Sequence, residues 1–373
     1  MAEGRIEWEE GETRCSALWR SPGGHPVPRR VVPADDTMRA DTAYGQLAQG
    51  TAILWRGDYQ NARQLLQALG RRTDRRPPKT GASAAEGFHL HRQAQAQKAR
   101  TLGLLLVPLD GDYRIALRRG QDVAEACAEV FGPGGEASVI SLRELLGLVG
   151  AHEWRRKGVP IPALGERIHP WHGVFSPLRG EYVDLVAEAP LPSTRLAFDI
   201  GTGTGILAAL LVRRGVEKVV ATDCEANARA CARDNLQRLG VADRVEVVEA
   251  NLFPPGRAPL VVCNPPWVPA RPNSSVERAI YDPECAMLKG FLAGLADHLE
   301  AAGEGWLILS DIAELLGLRT REDLLSAITG AGLKVAGRLD IRPRHGKALD
   351  PEDPLHLARS RELTSLWRLV AAR

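Results

Sequence analysis

The sequence predicts an α/β protein in which a doubly wound, seven-stranded sheet follows a smaller, mostly helical N-terminal domain. Three observations carry that prediction. From about residue 195 short apolar runs alternate with segments of helical periodicity, the pattern of a parallel sheet with helices on both faces. A glycine-rich turn, Gly201-Thr202-Gly203-Thr204-Gly205, joins the first of these strands to a helix. Before residue 160 that alternation is missing and helical periodicity dominates.

The elements follow in order. Residues 1–38 contain Ser21-Pro22-Gly23-Gly24-His25-Pro26-Val27-Pro28, which holds neither a helix nor a central strand, and the segment is predicted to be poorly ordered. Residues 39–160 form the accessory domain. Residues 40–70 read as helical, with Leu47, Ile53, Leu54, Leu65, Leu66 and Leu69 as apolar faces and a break at Gly57-Asp58. A basic loop at 71–87, a helix at 88–101, a buried strand at 104–107 with a partner at 113–117, and helices at 121–131 and 141–157 complete it. Residues 161–373 form the second domain. Its strands are predicted at 196–200, 218–222, 245–248, 260–264 and 305–310, with late strands near 333–341 and 364–370. Its helices are predicted at 205–214, 225–239, 286–301 and 311–330.

Composition narrows the class. The chain has 373 residues, 44% hydrophobic and 25% charged, enough for more than one core. No apolar stretch reaches the roughly 20 residues that span a bilayer. The acidic start MAEGRIEWEEGETR has no apolar signal core. The six cysteines include no CxxC pair, which suits reduced thiols rather than a structural zinc site. The expectation is a soluble, cytoplasmic protein that does not engage a membrane. The formal charge of +2 is unevenly spread: residues 60–120 carry 12 basic against 4 acidic residues, an excess of +8. Such a segment either docks phosphate backbones or forms a solvated, Arg-rich surface.

The chemistry concentrates after residue 195. Asp199 and the glycines Gly201, Gly203 and Gly205, with Thr202 among them, form a turn that lets a ligand approach the backbone. Asp223 ends the next strand, where a carboxylate accepts both hydroxyls of a ribose. The spacing is GxGxG rather than GxGxxG, and these features alone do not separate a nicotinamide cofactor from S-adenosylmethionine (SAM). Asn251, after the third strand, is placed to meet an adenine amine or simply to form a turn before Pro254-Pro255. The fourth strand runs into Asn264-Pro265-Pro266-Trp267. Two prolines fix the backbone there. Asn264 Oδ1 and the Pro265 carbonyl can take the N–H groups of a planar amide or amino nitrogen, with Trp267 stacked on it, so that a weak nucleophile is lined up with a methyl donor.

Together, Asp199-Ile200-Gly201-Thr202-Gly203-Thr204-Gly205, Asp223 and Asn264-Pro265-Pro266-Trp267 resemble a class I SAM-dependent methyltransferase of the "small domain" group, which includes release-factor glutamine methyltransferases and ribosomal RNA base methyltransferases. The resemblance covers about 170–370 and implies a Rossmann-like methyltransferase sheet with SAM as the cofactor. Upstream, Val174-Phe175-Ser176-Pro177-Leu178-Arg179-Gly180-Glu181 is similar to the family segment that precedes the cofactor motif; this implies that Phe175, Pro177, Arg179 and Glu181 line the pocket rim. Tyr281-Asp282-Pro283 reads equally as a loop over the target, which such folds commonly have, and as a helix-capping turn before 284–299. Two departures stand out. The glutamine enzymes usually carry Tyr, and the guanine-N2 enzymes Phe-His, where this chain has Trp267; many relatives have Asp where it has Asn251.

The expected activity is methyl transfer to an amide or exocyclic amine nitrogen of a protein glutamine or an RNA base, with a ribosome-associated acceptor and no metal. The basic segment tilts this slightly toward RNA. The alternatives are a small-molecule N-methyltransferase, a non-catalytic SAM-binding scaffold, and a nicotinamide-dependent reductase. His169 and His172, on a Pro/Gly loop, are poorly spaced for zinc and read as a linker packed over the pocket mouth.

Overall fold

The computed structural model describes residues 4–75, 81–177, 179–272, 276–344, 350–351 and 353–372. The chain divides into two units, Met1–Thr80 with His89–Glu153 and Gly81–Phe88 with Trp154–Arg373. The division falls at 153/154, where the sequence was read as changing at 160.

The first unit is organised by a sheet that the sequence reading missed. Strands β1 (Gly4–Glu10), β2 (Thr13–Arg20), β3 (Val31–Ala34), β4 (Ala52–Trp55), β5 (Leu105–Leu109) and β6 (Ser138–Ser141) lie in the order β1-β2-β6-β5-β4-β3. Helices α1 (Ala40–Ala48), α2 (Tyr59–Asp74), α3 (Ala84–Gly103), α4 (Ala124–Phe131) and α5 (Leu142–Lys157) join them. Three expectations are corrected. The segment expected to be poorly ordered forms a hairpin: Ile6 is buried, Ala17 and Trp19 nearly so, and Gly11, at φ +62°, turns the chain between the strands. The Pro/Gly-rich stretch is only the connection to β3. Ile53 and Leu54 lie in a fully buried strand, not on a helix face; a four-residue apolar run has too little length to show its period. Residues 113–117 form no strand, and only the single bridge Leu109–Ile115 links them to β5, whose partners are β4 and β6. Helices do predominate by length between 39 and 160, but they pack on this sheet. Ile53, Trp55, Val107 and Ile140 meet α1, α2, α4 and α5, while Leu54, Leu106 and Val139 cluster with Ile6, Ala17 and Trp19.

The second unit carries the seven-stranded sheet. After the hairpin β7 (Val159–Ile161) and β8 (Glu166–Ile168) come α6 (Glu181–Glu188), β9 (Leu196–Ile200), α7 (Ile206–Arg213), β10 (Lys218–Asp223), α8 (Ala226–Arg238), β11 (Val245–Glu249), β12 (Ala258–Cys263), α9 (Ala286–His298), β13 (Leu299–Ser310), α10 (Ile312–Leu315), α11 (Arg321–Gly330), β14 (Leu333–Ile341) and β15 (Thr364–Ala371). The order is β11-β10-β9-β12-β13-β15-β14. Five strands run parallel; β15 is antiparallel to β13 and β14. The helix expected at 311–330 is two helices. Gly317, at φ +67°, ends the first, and Thr320 caps the second in a reciprocal pair with Asp323.

Two apolar layers clamp this sheet. Ala197, Val219, Leu260, Val262 and Ile308 face α6, α7 and α8, and α7 is buried along almost its whole length. Phe198, Ile200, Val261, Cys263 and Leu307 face α9 and α11. Among the described residues, no helix is long and apolar enough to cross a membrane. The topology reverses between β9 and β12, which pair through Ile200 and Cys263. Beside them Ile200 also pairs with Thr222, so β9, β10 and β12 end together at the edge where doubly wound sheets bind ligands.

Phe291 of α9, fully buried, stacks on Phe253 at 5.7 Å between ring centres, which anchors the loop after β11. Phe291→Ala is expected to cost about 3–5 kcal/mol, read as a lower urea midpoint.

Candidate active site

Asp199 sits beneath the glycine turn rather than on its open face. It is 1% exposed, and its Oδ2 accepts hydrogen bonds from Thr202 Oγ1 at 2.7 Å and the Ala208 amide at 3.1 Å. Burial pushes its carboxyl up to about 6, while these two donors pull it back. Asp199 therefore ties the turn to the first coil of α7. The Thr202 amide donates to the Thr222 carbonyl at 2.8 Å, which binds the turn to β10.

The turn needs its glycines. Gly201, Gly203 and Gly205 all have positive φ. At Gly201 a Cβ would meet Met287 Cε at 2.7 Å, and at Gly205 it would press on the Ala232 backbone at 3.3 Å. At Gly203 it would meet nothing within 4 Å, so the open side of the turn lies there.

Asp223 ends β10 beside that opening. Its Oδ2 accepts the Gly203 amide at 3.1 Å and its Oδ1 the Glu225 amide at 2.9 Å. Burial raises its carboxyl above the usual range, against those two bonds. Asn251 is exposed beyond the end of β11, next to β10. Thr222 Oγ1 donates to the Leu252 carbonyl at 2.6 Å, and Leu252 holds φ +78°, so β10 and the loop bearing Asn251 are locked together.

On the other side of β9, Asn264 follows β12. The Trp267 indole N–H donates to Asn264 Oδ1 at 2.8 Å. The Arg179 guanidinium lies over the Trp267 ring, 4.9 Å from its centre. Arg179 Nε donates to Glu181 Oε1 at 2.8 Å, and Nη2 to Glu362 Oε1 at 2.9 Å. Glu181 and Pro177, read from sequence as pocket rim, are buried; Glu181 holds Arg179 from within, and Phe175 is half-buried. Tyr281 pairs with Val268 beyond the tetrapeptide, and its ring meets Phe88 at 6.5 Å.

Three further residues were missed: Thr222, Met287 and Glu362. Thr222 and Met287 brace the glycine turn. Asp282 accepts the Met287 and Leu288 amides and caps α9, which is the helix-capping alternative read for Tyr281-Asp282-Pro283. Glu362, 1% exposed, lies behind Arg179. Nothing near Glu362 in sequence marks it, whereas Asp282-Pro283 before an apolar run was a legible cap signal. The 169–172 segment packs on α8: the His169 amide donates to Asn235 Oδ1 at 2.7 Å and Trp171 Nε1 to Asp234 Oδ2 at 3.0 Å.

The basic excess of 60–120 shrinks within its own unit. Arg72 pairs with Asp41, Lys98 with Asp74, and both Arg118 and Arg119 with Asp58. Two of those acids lie outside the counted window, and the unit as a whole has 20 Lys and Arg against 18 Asp and Glu.

Comparison with known proteins identifies the family. The family described as "Ribosomal protein L11 methyltransferase (PrmA)" matches residues 186–265. A "Ribosomal protein L11 methyltransferase" of Pelotomaculum thermopropionicum is 46% identical over 214 residues, 49% of this chain and 65% of the relative. A "Release factor glutamine methyltransferase" of Cereibacter sphaeroides is 30% identical over 194 residues, 48% of this chain and 68% of the relative. The chain belongs to the class I SAM-dependent methyltransferases. It spans about two thirds of the length of these two relatives. Of solved structures, a ribosomal protein L11 methylase from Lactobacillus delbrueckii subsp. bulgaricus overlaps 53% of this chain and 83% of its own, at 16% identity and a TM-score of 0.37.

The methyltransferase's residues fit SAM. The unfilled space at Gly203 admits a ligand to the backbone, Asp223 offers a carboxylate at the edge of that space, and Asn251 stands beyond it. Gly201→Ala, strained at φ +72°, is expected to weaken SAM binding about tenfold in calorimetric titration. Asp223→Ala should weaken it about 10- to 100-fold. Asp199 makes a pH prediction. Its folded-state value lies above the unfolded one, so stability present below about pH 4 is lost as pH rises through about 6. Asp199→Asn keeps an oxygen for Thr202 and Ala208 but removes that dependence. Relative to wild type it should gain stability across this window, by on the order of 3 kcal/mol, in denaturation at stepped pH.

Proposed function

We propose that this chain transfers the methyl group of SAM to an amide or amine nitrogen of a protein acceptor. The observation that carries the proposal is the pairing of Ile200 with Cys263, because it sets the glycine turn and Asn264 on adjacent strands, about 4.8 Å apart, at one edge of the sheet. SAM supplies a methyl carbon on a sulfonium. Asn264 Oδ1 keeps a second lone pair beside its bond to Trp267, and with the Pro265 carbonyl it can accept two N–H groups and aim the nitrogen lone pair. The lone pair forms the new N–C bond as the C–S bond breaks toward sulfur, and the nitrogen then gives its proton to water. Arg179 covers one face of Trp267, so a planar acceptor cannot stack on that face.

A protein acceptor is favoured over RNA by two considerations. Four of the twelve basic residues of the segment that argued for RNA, Arg72, Lys98, Arg118 and Arg119, pair with acids, and the unit that holds most of it has 20 basic against 18 acidic residues. The names of both relatives given above specify protein acceptors.

The experiment is transfer from methyl-labelled SAM into extract of cells lacking the protein, followed by RNase or protease. The reading expects label that survives RNase and is lost to protease. Label lost to RNase would overturn it in favour of a base methyltransferase, and labelled small molecules would make it a tailoring enzyme. Asn264→Ala should lower kcat about 100-fold or more while SAM affinity stays within twofold. Unchanged kcat would remove Asn264 from the chemistry.

A further inference from the structure

Behind the tetrapeptide lies a buried polar cluster. Glu362 precedes β15, is 1% exposed, and makes contact through only one carboxylate oxygen among the described residues. Glu362 Oε1 accepts from Arg179 Nη2 at 2.9 Å and from Ser310 Oγ, at the end of β13. Among the described residues, Glu362 Oε2 is buried without a hydrogen-bond partner. Leaving a buried carboxylate oxygen unpaired costs free energy, and two carboxylates, Glu181 and Glu362, share the single guanidinium of Arg179. The role of the cluster follows from what Arg179 touches.

Arg179 spends Nε on Glu181 and Nη2 on Glu362, and these two bonds fix the plane of the guanidinium. That plane covers the Trp267 ring at 4.9 Å. The same ring donates its indole N–H to Asn264 Oδ1. A phenol or phenyl ring in this place has no ring N–H to give, so the last link depends on the tryptophan.

We propose that Glu362 is a positioning residue for the acceptor site: through Arg179 it holds Trp267, and Trp267 holds the Asn264 amide with its oxygen turned to the nucleophile. This rests on the reading of Asn264 as the group that orients the acceptor nitrogen. Glu362 does not itself touch the reacting atoms.

The test has two arms. The first needs no acceptor. The chain has eight tryptophans. In a spectrum of the nitrogen-15-labelled protein, Trp267→Phe identifies the Trp267 indole N–H signal. Glu362→Ala should move that signal alone and speed its exchange with solvent tenfold or more. Glu362→Gln, which keeps an oxygen toward Arg179 and Ser310, should move it less. An unmoved signal in Glu362→Ala overturns the proposal. So does displacement of all the indole signals together, which would mean that Glu362 only supports the fold. The second arm is label transfer from SAM into extract protein. Glu362→Ala should lower kcat about tenfold with SAM affinity within twofold, and Glu362→Gln should recover part of the loss. Unchanged kcat overturns the proposal. If wild type transfers no label, the functional reading fails, while the first arm still decides whether Glu362 holds Trp267.

Discussion

The site depends first on one buried carboxylate. Asp199 lies inside the sheet edge, below the turn it organises, and takes the Thr202 hydroxyl and the Ala208 amide on a single oxygen. Burying a carboxylate is costly, which is why its carboxyl is pushed up to about 6. The return is a turn with three positive-φ glycines that is held from beneath and open at Gly203. A turn tied only at its ends would have to be ordered by the ligand, at the ligand's expense in affinity. The neighbouring bonds act in the same direction: Thr202 to Thr222, Gly203 to Asp223, and Thr222 to Leu252 join three strand ends into one rigid rim.

Sheet topology does the rest. Because the order reverses between β9 and β12, the turn after one and the tetrapeptide after the other share an edge without any long loop. The two halves of the site are built differently. The half around the glycine turn is backbone amides, glycines and carboxylates. The half around the tetrapeptide is an aromatic ring caught between an amide oxygen and a guanidinium, with two buried carboxylates behind it.

What was legible in the sequence follows from range. The glycine turn, Asp223 and the Asn-Pro-Pro-Trp turn were readable because each is local chemistry at a strand end. All seven strands of the large sheet were found; the central parallel ones, such as the fully buried β12, appear as apolar runs. The sheet of the first unit was missed where it depends on distant partners: β4 and β6 are four-residue strands between neighbours far away in sequence. The hairpin of β1 and β2 was legible in the alternation Arg5-Ile6-Glu7-Trp8 and was obscured by the prolines after it. A charge count along the segment 60–120 overstates its local excess, because it omits acids such as Asp41 and Asp58 that fold onto it. Glu362 was invisible because its partners, Arg179 and Ser310, are remote in sequence.

The most direct measurement is calorimetric titration of SAM into wild type and Thr202→Val. The valine keeps the shape of threonine but removes the hydroxyl that binds Asp199, leaving that carboxylate one donor. Saturable binding by wild type, weakened about tenfold or more in the variant, is the predicted result. Equal affinities would mean that the buried carboxylate does not organise the turn, and no binding by wild type would contradict the account at its base.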